Sequence, residues 1–212
     1  MKTIVFGGSF DPLHNGHVAV ADCVQRSFCF EEFLWLPSFH AVHKLETIPS
    51  PSFFRMKCLK DFLKSRPHNE KICDYEVNLG RPSFTIDTLD FLMEENPERE
   101  LYFVMGADSL SHLDTWYRLA DLFDVCTFLL VPRLNWGRDQ LNYYHNSLKS
   151  DMGAKFKAKF LEMDCVDVDS TALRSNLEQS ASFAGLEVPR AVEECLVSMN
   201  PYSLRNQDGD GK

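Results

Sequence analysis

Short runs rich in β-branched and aromatic residues recur along the chain, and most are followed by a segment whose apolar side chains fall at helical spacing. The first, Thr3-Ile4-Val5-Phe6, stops at Gly7-Gly8, and Val18, Ala21 and Val24 then mark one face of a helix running from Gly16. Phe33 to Leu36 ends at Pro37 and leads to a helix with Phe54, Cys58, Leu59, Phe62 and Leu63 on one face. The alternation continues with a predicted strand over 72–77, a helix over 85–95, a strand over 101–105, a helix within 110–123 and a strand over 127–131. A strand over 163–168 and a helix over 171–179 follow, and Pro189 is placed to be the first residue of a last helix. Strands alternating with helices predict an α/β fold with a doubly wound, mainly parallel sheet. Ligands in such sheets sit beyond the carboxyl ends of the strands, where loops 7–17, 37–44, 106–109 and 132–138 are expected to converge.

At 212 residues and 44% hydrophobic content the chain can bury one sizeable core, and no change of composition suggests a second. Residues 1–204 therefore read as a single domain and 205–212, polar and glycine-rich, as a flexible tail. A net charge of -9 opposes non-specific binding to nucleic acid or acidic membranes. Seven cysteines without a CxxC pair favour neither a disulfide framework nor a zinc site. No export signal is evident, and runs such as CTFLLV are far too short to span a bilayer. A soluble protein of the reducing cytoplasm is expected.

The chemistry concentrates in GGSFDPLHNGH, residues 7–17. Gly7 and Gly8 would let the backbone turn sharply and approach a ligand, and the helix start at Gly16 would offer N–H groups to an anion. The stretch is neither a GxGxxG fingerprint nor a Walker loop, because it lacks the third glycine of one and the GK[ST] of the other. Imidazoles stand in place of the missing lysine: His14 and His17 flank Gly16 and can both donate hydrogen bonds to phosphoryl oxygens.

GGSFDPLHNGH resembles the GGTFDPxHxGH signature of the nucleotidyltransferase superfamily, specifically of the bacterial nicotinate-nucleotide adenylyltransferases. Further along, Val168 to Arg174 (VDSTALR) is similar in type to the family's ISSTxIR motif, SFTIDTL at 83–89 to its SYTIDTL, FVMGADSL to its strand-plus-GAD, and Trp116 to its downstream tryptophan. Ser9 replaces the usual threonine and keeps the hydroxyl; Asp169 replaces a serine and adds a negative charge; the PPHK element survives only as AVHK, residues 41–44.

The resemblance implies a Rossmann-like nucleotidyltransferase domain that transfers the adenylyl group of ATP to nicotinate mononucleotide, giving the deamido precursor of NAD and pyrophosphate. It implies His14, His17, Lys44 and Arg174 as the catalytic cations. ATP would be bound by Gly7, Gly8, Ser9, Phe10, His17, Gly106, Asp108, Ser170, Thr171 and Arg174. Nicotinate mononucleotide would meet Lys44, Ser83, Thr85, Trp116 and Tyr117. Mg²⁺ is expected to arrive on the ATP phosphates, since no clustered carboxylates suggest a protein-owned metal site. Arg55, at a predicted helix start, reads as a solvated charge and is left out of the site. Alternatives are another phosphorylated acceptor on the same fold (nicotinamide mononucleotide or phosphopantetheine) or a non-catalytic nucleotide-binding module; a homo-oligomer is compatible with either.

Overall fold

The computed structural model describes residues 1–40, 48–132, 138–147, 153, 155–163, 168, 170–179 and 185–202, apart from the side chains of Leu141 and His145. Six strands form one sheet: β1 Lys2–Gly8, β2 Glu32–Pro37, β3 Glu70–Ile72, β4 Glu100–Gly106, β5 Cys126–Val131 and β6 Ala158–Phe160. Every pairing is parallel, in the order β3-β2-β1-β4-β5-β6. Strand order reverses direction at β1, which pairs with β2 on one side and β4 on the other. The carboxyl ends of β1 and β4 thus flank the crevice where doubly wound sheets place ligands.

Period-2 alternation divides the core into two layers. Ile4, Phe6, Phe33, Trp35, Tyr102, Val104, Leu129 and Val131 face one side. They meet helices α1 (Asn15–Ser27), α2 (Ser52–Leu63), α7 (Ser170–Gln179) and α8 (Arg190–Met199) through Val24, Leu59, Leu173 and Leu196. Val5, Leu34, Leu36, Phe103, Met105, Phe128 and Leu130 face the other side, against Ile86 and Leu89 of α4 (Thr85–Glu95) and Leu122 and Phe123 of α5 (Leu119–Val125). Burial of both strand faces explains why these strands read as continuous apolar runs.

Four elements depart from the sequence-based expectation. The segment 72–77 is only partly strand: β3 ends at Ile72, and α3 (Tyr75–Leu79) follows, closed by Gly80 at φ 64. A left-handed glycine after five residues is a helix stop, and it outweighs the strand propensity of Tyr75 and Val77. The expected helix within 110–123 is instead a 3₁₀ helix, Ala107–Thr115, followed after Trp116–Arg118 by α5; Arg118 takes φ 53 and breaks the run. The last strand is β6 at Ala158–Phe160 rather than 163–168, where 161–163 are not strand and 164–167 lie outside the described residues. Lys159 disguises it, a charged residue whose ammonium sits over the Phe28 and Tyr102 rings at 4.8 and 5.6 Å. Helix α6, Arg138–Ser147, is too polar to show an apolar stripe, although Tyr144 packs on Phe156 at 5.4 Å. The expected tail, 205–212, lies outside the described residues, and the six described cysteines are unpaired thiols. No helix among the described residues is long and apolar enough to cross a membrane.

A buried ionic cluster holds the β3 edge. Glu70, its side chain fully buried, accepts from Arg66 at 2.7 Å, from Trp35 Nε1 at 2.9 Å and from Gln25 at 2.9 Å. Stability, however, resides mainly in the two apolar layers. Phe128→Ala, at a fully buried position, is expected to cost about 3–5 kcal/mol. Tyr143→Ala, at a position 79% exposed, should change stability by less than about 0.5 kcal/mol. Urea unfolding of both variants checks the contrast; similar losses would contradict this assignment of the core.

Candidate active site

The site begins where β1 runs out. Gly7 and Gly8 are still strand, paired with Leu36 and Pro37, so the sharp turn expected at the glycines lies elsewhere. Their lack of a side chain serves close packing: a Cβ on Gly7 would stand 3.3 Å from the Phe103 ring and one on Gly8 3.1 Å from the Phe10 ring. The turn is made by Phe10, whose backbone takes φ 46, a left-handed conformation that costs a non-glycine residue about 1–3 kcal/mol. Its ring, only 1% exposed, is wedged among Phe6, Trp35 and His17 at 5.7, 5.4 and 5.0 Å. Phe10, expected to touch ATP, therefore contributes its ring to the core and only backbone to the turn.

His14 caps α1 with extended backbone, and its ring lies 3.7 Å from that of His17, tilted by 32°. The His14 N–H donates to His17 Nδ1 at 3.3 Å, which assigns the proton of a neutral His17 to Nε2 and makes that atom a donor. Glycine at 16 leaves room for the His14 imidazole, which a Cβ there would crowd at 3.0 Å. The same Cβ would lie 3.6 Å from Val168, so the chain entering α7 runs beside the start of α1. Two helix N-termini, each with N–H groups lacking intrahelical acceptors, thereby come together.

Arg174, one turn into α7, donates to the carbonyl of Asp11 at 2.8 Å and to Thr171 Oγ1 at 3.1 Å. The late motif is thus joined to the glycine-rich stretch, as a shared phosphate site requires. Ser170 opens α7, and Thr171 is exposed beside it. Gly106 ends β4 next to β1, and Asp108 stands exposed in the 3₁₀ helix that follows. Lys44 and Asp169 lie outside the described residues.

A second group of predicted residues assembles around α4. Thr85 is its first residue; the Phe84 N–H donates to Asp87 at 3.1 Å and the Asp87 N–H to the Phe84 carbonyl at 3.0 Å. The N–H groups of Thr85 and Ile86 then have no intrahelical acceptor. Tyr117, 52% exposed, meets the Phe84 ring at 4.5 Å, which brings the break before α5 to the start of α4. Trp116 is half-buried and meets Phe103 edge-on at 6.0 Å. Ser83 is buried beside Glu76 of α3, whose carboxylate accepts from Thr88 Oγ1 at 3.0 Å. Burial pushes the Glu76 carboxyl up to about 7, against the opposing hydrogen bond of Thr88.

Sequence reasoning missed Arg55. It is 1% exposed, and its guanidinium donates to the carbonyls of Ser50 at 3.0 Å, Ser9 at 2.6 Å, Ser38 at 2.8 Å and Phe39 at 3.1 Å. A signal was present: Arg55 shares the stripe of Cys58, Leu59 and Phe62, three, four and seven residues on, and a cation at a core position must be partnered. Tyr202 was also missed; its hydroxyl donates to Asp11 Oδ1 at 2.8 Å across 191 positions of sequence.

A family model described as cytidylyltransferase-like matches residues 5–176. The protein named probable nicotinate-nucleotide adenylyltransferase of Bacillus pumilus (strain SAFR-032) is 30% identical over 203 residues, 95% of this chain and 99% of its own. Its namesake in Clostridium novyi (strain NT) is 29% identical over 204 residues, 95% and 98% of the two chains. Among solved structures, Plasmodium falciparum nicotinic acid mononucleotide adenylyltransferase complexed with NaAD superposes with a TM-score of 0.73 at 16% identity, covering 95% and 97% of the two chains. That likeness is one of fold.

Glu76 makes stability in this region depend on pH. Its folded-state carboxyl titrates near 7 against an ordinary 4.5, so the unfolded chain ionises first as pH rises. Stability therefore falls between those two values and stays lower above them, by about 3 kcal/mol for a displacement of that size. Glu76→Gln, which keeps the acceptor for Thr88, is expected to raise the unfolding free energy at pH 8 and to leave it nearly unchanged at pH 4.5. An equal gain at both pH values, measured by denaturant titration, would assign the effect to packing instead.

Proposed function

The chain belongs to the cytidylyltransferase-like family and, within it, to the nicotinate-nucleotide adenylyltransferases, and from that premise we propose that it joins ATP and nicotinate mononucleotide to form nicotinate adenine dinucleotide and pyrophosphate. The observation that carries this reading is the close His14–His17 pair at the start of α1, beyond the end of β1, with Arg174 bonded to the same turn. Residues 1–204 act as one catalytic domain in the cytoplasm.

The reaction asks little covalent chemistry of the protein. A phosphate monoester loses its second proton near pH 6, so the mononucleotide phosphate is largely dianionic at neutral pH and needs no general base. One of its oxygens forms a bond to the α-phosphorus of ATP as the bond to the β-phosphate bridging oxygen breaks, and pyrophosphate leaves with that electron pair. Catalysis then consists of aligning two mutually repelling anions and meeting charge as it grows on the leaving group. His17 Nε2, His14, Arg174 and Lys44 serve as donors to those oxygens, with the backbone of Gly7 to Ser9 and the residues of 106–108 and 170–171 around the nucleotide. Among the described residues no group of three His, Cys, Asp or Glu side chains could hold a metal. Mg²⁺ would be held by the ATP phosphates themselves, where it would offset their charge.

The start of α4 takes the nicotinate carboxylate. The N–H groups of Thr85 and Ile86 can both donate to it, favoured by the positive end of the helix. Trp116 and Tyr117 supply aromatic surface to the pyridinium ring. A carboxamide would turn its NH₂ toward a donor, and a buried unpaired donor costs about 1–3 kcal/mol.

Two measurements test this reading. Initial-rate pyrophosphate release with ATP and Mg²⁺ should give a kcat/KM for nicotinate mononucleotide at least about 10²-fold above that for the nicotinamide form. Equal use of both would remove the role given to Thr85. His17→Ala should lower kcat by roughly 10² to 10³ while the fold is kept, since it deletes a donor to developing charge. A loss below about tenfold would take His17 out of the mechanism.

A further inference from the structure

We infer that Arg55 is a positioning residue for adenylyl transfer: its buried guanidinium holds the strained turn that presents His14 and His17. The inference rests on the function proposed above but on different residues. Phe10 has a left-handed backbone, and such a conformation persists in a non-glycine residue only when its surroundings over-determine it. The turn is gripped on both sides of Phe10. Before it, the carbonyl of Ser9 accepts from Arg55 Nη1 at 2.6 Å. After it, Asp11 is held three times, by the Ser50 N–H at 3.0 Å, the Tyr202 hydroxyl at 2.8 Å and Arg174 on its carbonyl at 2.8 Å.

Arg55 alone reaches three separate stretches of chain. Besides Ser9, it binds Ser38 and Phe39 just beyond β2, and Ser50 just before α2. Four carbonyls around one planar fork define a fixed geometry, which an ammonium with three rotatable donors cannot reproduce. Burial pulls the Arg55 pKa down, and the Asp11 carboxylate nearby opposes that shift. Arg55 is buried, and its guanidinium is engaged by backbone carbonyls. It acts through the backbone of Ser9 and so through the position of α1, whose N-cap is His14. Thr85, by contrast, opens α4, which packs on the opposite face of the sheet, and Tyr117 meets Phe84 beside it.

The inference predicts a split between kinetic parameters. Arg55→Lys keeps the charge and loses the fork; Arg55→Gln keeps one amide donor and loses the charge, and serves if the lysine variant does not fold. In either, kcat should fall by at least about tenfold, because displacement of catalytic groups by about an ångström costs on the order of 10²-fold. The preference for nicotinate over nicotinamide mononucleotide should stay within about threefold of wild type, since the proposed carboxylate subsite at the start of α4 is built elsewhere. Leu59→Ala, on the same helix and fully buried, is the control for destabilisation alone. Each protein is assayed at the same interval below its own melting midpoint. A kcat within threefold of wild type, or a loss no larger than that of Leu59→Ala, would overturn the inference. Wild-type protein inert toward ATP and nicotinate mononucleotide would instead defeat the proposed function, and the role of Arg55 with it.

Discussion

Strand β1 is hydrogen-bonded on both edges and buried on both faces, and this double constraint governs the rest of the molecule. A strand so enclosed can carry no polar function along its length. Polar chemistry can emerge only past its end, where the chain leaves the sheet at Gly8. Because β2 and β4 run parallel on either side, the chain must depart in opposite directions from the ends of β1 and β4, and the resulting crevice collects the loops. The glycines keep that crossing tight. Gly7 admits the Phe103 ring and Gly8 the Phe10 ring, so the strand ends in close aromatic packing and the turn comes at Phe10, two residues beyond the glycines.

What could be read from the sequence follows from whether a residue's role is local. The bounds of α4 were legible because apolar spacing and the proline before it act within a few residues, and Thr85 lies at its start as expected. The two histidines were legible for the same reason, since a short loop entering a helix fixes them together. Strand β6 was not, because Lys159 breaks its apolar run and its apolar neighbours Phe28 and Tyr102 come from distant parts of the chain. Tyr75 and Val77 looked like strand residues because the helix stop at Gly80 depends on a backbone angle, not on a propensity. Asp11 and Tyr202 illustrate the limit most plainly: nothing near either residue hints at a partner 191 positions away.

Arg55 and the glycines share a lesson about buried exceptions. An arginine in the apolar register of α2 looks like a helix-start charge if the register is ignored, and like a structural centre once it is counted. The cost of burying it is met by carbonyl oxygens, which cluster only where several chain segments end together. Such a cluster exists at the exit of β1 because the sheet brings Ser9 and Ser38 side by side, with the Ser38 N–H donating to the Gly8 carbonyl at 2.9 Å.

The same choice of partner resolves an electrostatic difficulty. A protein of net charge -9 must attract two anionic nucleotides. Its ion pairs draw Arg66, Arg99, Arg118, Arg138 and Arg190 onto carboxylates away from the β1 exit. Arg55 and Arg174, the arginines that reach the turn at residues 9–11, donate instead to carbonyl oxygens. A carbonyl satisfies a guanidinium's hydrogen bonds without cancelling its charge, whereas a carboxylate does both. Both guanidinium charges therefore stand beside the crevice, that of Arg55 opposed by the nearby Asp11 carboxylate, and the adjoining N-termini of α1 and α7 add partial positive charge there. In the proposed function, the bonds that hold the turn thus also set the charge that the phosphates meet.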